Sequence, residues 1–106
     1  MEVEGSGKVV LSGFNLDPEE MIAVNNVVKN YSDKMNHKIG FKELRLRLKK
    51  SLHGKAFLHE IRGTLITDKQ YKSTVTDYNL YAVIAKVLEK LMHEAEHNER
   101  TNRQKK

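Results

Sequence analysis

The 106-residue chain is predicted to be an α+β domain of order β-α-β-β-β-α, a four-stranded sheet with two helices packed on one face. Three observations predict this. Met21, Val24, Val28, Tyr31 and Met35 recur at helical spacing, and so do Leu80, Ile84, Val87, Leu91 and Ala95. Between these stripes the period drops to two, as where Leu44, Leu46 and Leu48 alternate with Arg45, Arg47 and Lys49. Two amphipathic helices, one after the first strand and one after the last, suffice to cover one face of such a sheet.

The elements follow in order. Lys8 to Phe14 reads as a first strand, with Val9 and Leu11 on one face. Asp17-Pro18-Glu19-Glu20 reads as a helix start: Asp17 accepts from first-turn amides, Pro18 suits the first helical position, and Glu20 completes a capping box. That helix is expected to end near Asn36. A second strand spans Phe41 to Leu48, Ser51 to Lys55 forms a turn around Gly54, and Ala56 to Thr67 gives a third strand bent near Gly63. Asp68-Lys69-Gln70 links to a fourth strand, Tyr71 to Val75, and Asp77 or Asn79 caps a second helix. Residues 1–7 are expected to be a flexible amino terminus, 8–97 the single domain, and 98–106 a basic, disordered tail.

Composition narrows the chemistry. With no cysteine, disulfides, thiolate metal sites and cysteine catalysis are excluded. Met1 to Gly7 is polar with Glu2 and Glu4, unlike a signal peptide, and no apolar run approaches the ~20 residues a membrane helix needs. The expectation is a cytoplasmic protein with no membrane partner. Net charge is +5, and Phe41 to Lys55 alone holds six cations against Glu43. Clustered cations favour polyanionic partners, because phosphate contact releases condensed counterions.

One motif invites an enzyme reading. His93-Glu94-Ala95-Glu96-His97 matches the zinc-protease pattern H-E-x-x-H on a helix. A catalytic zinc needs a third protein ligand and a dry cleft, for which a domain this small has little mass. The motif also sits in the last turn before a solvated tail, where the helix dipole by itself favours cationic side chains. Zinc hydrolysis therefore ranks last, and no catalytic residue, cofactor, metal or small-molecule substrate is expected. Gly5-Ser6-Gly7-Lys8 precedes a strand rather than a helix and is not a phosphate loop.

A basic stripe is more informative. Lys86, Lys90, His93 and His97 are spaced 4, 3 and 4 residues apart beside the apolar stripe of the second helix. The first helix carries Lys29, Lys34, His37 and Lys38 toward its end. Packed side by side, the helices would bring these into one positive surface. The competing assignment is a solvated helix face with i,i+4 ion pairs.

Thr76-Asp77-Tyr78-Asn79-Leu80-Tyr81-Ala82-Val83-Ile84, followed by Leu88-Glu89-Lys90-Leu91, resembles the ribosome hibernation-promoting factor and ribosome-associated inhibitor family. In that family the last strand runs into a helix opening D-[LM]-Y-A-A-I and continuing to D-K-L. Leu11-Ser12-Gly13-Phe14-Asn15-Leu16 is similar to the exit of the family's first strand. The likeness spans Lys8 to His97 and is strongest from Tyr71 to Leu91. It implies a short-form, non-catalytic translation inhibitor that occupies the messenger and transfer RNA channel of the small ribosomal subunit. It further implies contacts through Lys29, Lys34, Lys90, His93 and His97, to which the stripe adds Lys38 and Lys86. His93 and His97 stand where family members usually carry lysine or arginine. The expected partner is the small subunit with its ribosomal RNA, and the chain is expected to be a monomer off the ribosome. The alternative is another RNA-binding module that uses the open sheet face of Arg45, Arg47 and Lys49. That face lacks the paired aromatic residues of sheet-type RNA binders, so it ranks second.

Overall fold

The computed structural model describes residues 7–104, with side chains through Asn98. Residues 1–6 and 105–106, and with them most of the expected flexible amino terminus, lie outside the described residues. The elements are β1 (Lys8–Ser12), α1 (Pro18–Lys38), β2 (Glu43–His53), β3 (Ala56–Ile66), β4 (Gln70–Asp77) and α2 (Leu80–Gln104). The order is the one the periodicities predict.

Strands lie side by side in chain order. β1 pairs parallel with β2, since α1 carries the chain back between them, while β2, β3 and β4 pair antiparallel through short turns. Strand alternation sorts the side chains. Leu44, Leu46, Leu48, Ile61, Leu65, Tyr71 and Val75 are buried on one face, and Arg45, Arg47, Lys49, Arg62 and Lys72 stand exposed on the other. α2 packs on β3 and β4 and against α1.

Asp17 caps α1, its Oδ1 accepting from the Glu20 amide at 2.8 Å, with Pro18 at the first position. The buried stripe of α1 is Val24, Val28, Ser32 and Met35, whereas Met21 and Tyr31 are only half-buried. The stripe passes through Ser32 because its hydroxyl donates to the Lys29 carbonyl at 3.0 Å and so needs no water. Asn79 caps α2, accepting from the Ala82 amide at 3.0 Å, while Asp77 accepts from the Asn79 amide at 3.0 Å. Both candidate caps are thus used, one behind the other.

One local expectation changes and two details are added. The segment from Ser51 to Lys55 is mostly strand, because β2 and β3 stay paired out to His53 and Ala56 and leave only Gly54 and Lys55 as loop. Gly54 has φ +63° and Lys55 does not share it, the pattern of a glycine-first, two-residue hairpin turn. Gly63 marks no interruption: the ladder runs through it, pairing it with Leu46 and Ser73. Its role is close approach. A Cβ there would lie 2.8 Å from Leu91 Cδ1 and 3.0 Å from Val87 Cγ2, so the bare backbone lets α2 settle on the sheet. Finally, the backbone of α2 is helical through Gln104, past His97 and into the segment expected to be disordered.

Candidate nucleic-acid interface

The helix layer brings part of the predicted cluster together. The Tyr31 hydroxyl donates to Glu89 Oε2 at 3.1 Å, fixing the middle of α1 beside α2. Burial, and then the Glu89 carboxylate, push the Tyr31 phenol above its ordinary value. Further along, Lys38 of α1 shares an open cleft of about 340 Å³ with His93, Glu96 and His97 of α2. The two helices therefore run the same way, and their carboxyl-terminal halves converge. Converging dipoles favour cations there. Lys29, Lys34 and Lys90 are exposed nearby, with no acidic partner within ion-pair distance among the described residues.

Lys86 is placed differently. Its ammonium bonds Asp77 Oδ2 at 2.8 Å across the start of α2. The Asn79 amide and then the Lys86 ammonium hold the Asp77 carboxyl below its ordinary value. A lowered folded-state value means that Asp77 contributes stability above the usual aspartate range of about 4. That contribution is lost as pH falls through the lowered value. The unfolding midpoint of Asp77→Asn is expected to fall less steeply than that of the parent between roughly pH 5 and pH 2. Parallel acid dependence in both proteins would contradict this.

Charge divides unevenly between the layers. The helices, Pro18–Lys38 and Leu80–Gln104, carry Lys29, Lys34, Lys38, Lys86, Lys90, Arg100 and Arg103 against Glu19, Glu20, Asp33, Glu89, Glu94, Glu96 and Glu99, a balance of 0 with histidines neutral. The strands and the turns between them carry nine lysines and arginines against Glu43, Glu60, Asp68 and Asp77, a balance of +5. The stripe seen along α2 is therefore interleaved with acids, and the excess positive charge of the fold lies in the sheet.

On the open sheet face Arg45 pairs with Glu43, and Arg62 lies 3.7 Å from Glu60. Arg47 stands directly opposite Arg62 in the register, and neither Arg47 nor Lys49 has an acidic partner within ion-pair distance among the described residues. Like charges facing each other across strands cost stability. Around this pair opens a cleft of about 540 Å³ bounded by Ser12, Gly13, Arg47, Lys49, Glu60 and Arg62. An oxyanion such as a phosphate would relieve the repulsion and accept from both guanidinium groups. Arg62 and Lys72 share this face and were not among the expected contacts. Their signal was available, since Arg62 falls out of phase with the buried Ile61 and Leu65 of its own strand.

The H-E-x-x-H pattern lies at the surface. His93, Glu94 and His97 are exposed, while Ala95 is buried against the core. Among the described residues no group of three or more histidines and carboxylates stands where a metal ion would be held. No described helix is long and apolar enough to cross a membrane.

No protein-family model matches the sequence, and no curated protein matches it either. Solved structures do. A ribosomal subunit interface protein from Coxiella burnetii matches with a TM-score of 0.64 at 7% identity, covering 88% of this chain and 96% of that one. The N-terminal domain of Protein Y from Thermus thermophilus matches with a TM-score of 0.56 at 20% identity, covering 87% of this chain and 97% of that one. Over most of its length, the chain shares the fold of these two proteins.

Proposed function

We propose that the chain is a non-catalytic, ribosome-associated RNA-binding factor. It occupies the messenger and transfer RNA channel of the small subunit and holds translation off while bound. What carries the reading is the shared fold with a ribosomal subunit interface protein. The charge distribution supports it, because a channel walled by RNA meets a protein on more than one side. In this reading the converged helix ends, with Lys29, Lys34, Lys38, Lys90, His93 and His97, seat against ribosomal RNA, and Lys86 flanks them. The protein works in the cytoplasm and is a monomer off the ribosome.

The layer charges favour a second surface. A balance of +5 in the sheet against 0 in the helices favours Arg45, Arg47 and Lys49, with Arg62, as the stronger phosphate-binding group. The test is sucrose-gradient sedimentation of extract containing the tagged protein at low salt. The protein is expected with the small subunit or whole ribosomes. If it stays at the top of the gradient in growing and in stationary cells, the ribosome reading is wrong.

A further inference from the structure

The β2–β3 hairpin outruns the rest of the sheet. β1 pairs no further than Arg47, and β4 no further than His59. Beyond them only Ser51–Leu58, Leu52–Phe57 and His53–Ala56 remain paired, a two-stranded ribbon reaching about 10 Å past β4 at the ~3.3 Å rise of a strand. The ribbon points away from the Lys38 and His93 end, because α2 begins beside it, after Asp77. At its outermost apolar pair Leu52 is 63% exposed and Phe57 51% exposed. Scattered single apolar residues on a surface are ordinary, but a directly opposed Leu–Phe pair at the end of a bare ribbon is a presented patch.

Its surroundings select an occupant. From Lys50 through His59 the sequence contains no acid, while Lys50, beside the patch, and Lys55, in the turn, carry positive charge. Lys50 Nζ lies over one face of the Phe57 ring, 5.2 Å from its centroid and on the same side of the ribbon, so a base would stack on the opposite face of the ring. We propose that the hairpin tip is a stacking site for an unpaired nucleobase of RNA, with Phe57 as the platform and the Lys50 ammonium meeting the adjoining phosphate. Stacking is tolerant of sequence because every base has a flat face, and the lysines supply the backbone attraction. The inference rests on the RNA-binding reading above and adds to it a contact outside both basic faces.

An opposed Leu–Phe pair also stiffens a ribbon, so the test keeps the packing and removes only the ring. Phe57→Leu retains an apolar partner for Leu52. The chain contains no tryptophan, so Phe57→Trp introduces a single indole whose emission reports stacking. Both variants are titrated with a 12-nucleotide unstructured RNA and, separately, with purified small ribosomal subunits. Phe57→Leu is expected to bind the oligonucleotide roughly fivefold to hundredfold more weakly than the parent at an unchanged unfolding midpoint. Phe57→Trp is expected to bind like the parent, with saturable quenching. Equal binding by Phe57→Leu, or unquenched indole at saturating RNA, overturns the proposal. Loss of subunit binding by Phe57→Leu without any quenching by RNA also overturns it, and assigns the tip to a protein contact. If the oligonucleotide results hold while the protein fails to bind subunits, the ribosome reading falls and the stacking site stands.

Discussion

Reversing Arg47 and Arg62 to glutamate is expected to weaken binding to small ribosomal subunits by roughly a hundredfold at physiological salt. Reversing Lys34 and Lys90 is expected to weaken it by roughly tenfold. Both pairs are exposed on the folded protein, so neither change reaches the core. The ranking follows from the surroundings. Arg47 faces Arg62 across the ladder, in a layer whose balance is +5, so each charge there adds to a positive field. Lys34 and Lys90 sit in a layer where Asp33, Glu89, Glu94 and Glu96 already offset the lysines. Filter binding or co-sedimentation with purified subunits reads both values. Loss with the sheet variant alone removes the helix ends from the interface, and loss with the helix variant alone removes the sheet face.

The second large effect concerns the fold. Gly63→Leu is expected to destabilise the domain by about 1–3 kcal/mol, the usual range for overpacking a filled core. It should lower the thermal midpoint by several degrees for each kcal/mol, as in domains of ~100 residues. Even a Cβ meets Leu91 and Val87 of α2 at 3.0 Å or less and Leu46 of β2 at 3.3 Å. Further carbons have nowhere to go unless α2 lifts from the sheet. An unfolding midpoint equal to that of the parent would show that α2 does not sit on β3 as described.

These expectations show how far the sequence could be read. Element order was legible because burial imposes its own period: Leu44, Leu46 and Leu48 are buried as strand alternation requires, and Ile84, Val87, Leu91 and Ala95 as helical spacing requires. The length of β2 was not legible. Past Leu48 the ribbon leaves the core, so Lys49, Lys50 and Ser51 lose the apolar alternation that identifies a strand, although the backbone stays paired. Gly63 suggested a bend, since a strand glycine signals either a bulge or a close approach, and only the position of α2 tells them apart.

The candidate residues were legible one by one, and the charge balance between the two layers was not. Lys86, Lys90, His93 and His97 do line the exposed side of α2. Their count omitted Asp77, which lies outside the helix in sequence yet bonds Lys86 across its first turns. The sheet face was under-read for the opposite reason. Arg62 and Lys72 join Arg45 and Arg47 only through cross-strand register, which brings residues far apart in sequence into rows. Phe57 was read as ordinary strand, because nothing local says that neighbouring strands stop short of it.

The central claim is that this domain binds the ribosome through RNA phosphates. The most direct test is the dissociation constant for purified small subunits measured from about 50 to 300 mM monovalent salt, a range over which multi-phosphate contacts lose orders of magnitude in affinity. Four to six phosphate contacts predict a linear fall of log affinity with log salt, with a slope of roughly −3 to −5, and Arg47→Glu should reduce its magnitude by about one. A slope near zero, or a slope unchanged by Arg47→Glu and by Lys90→Glu alike, would contradict the account.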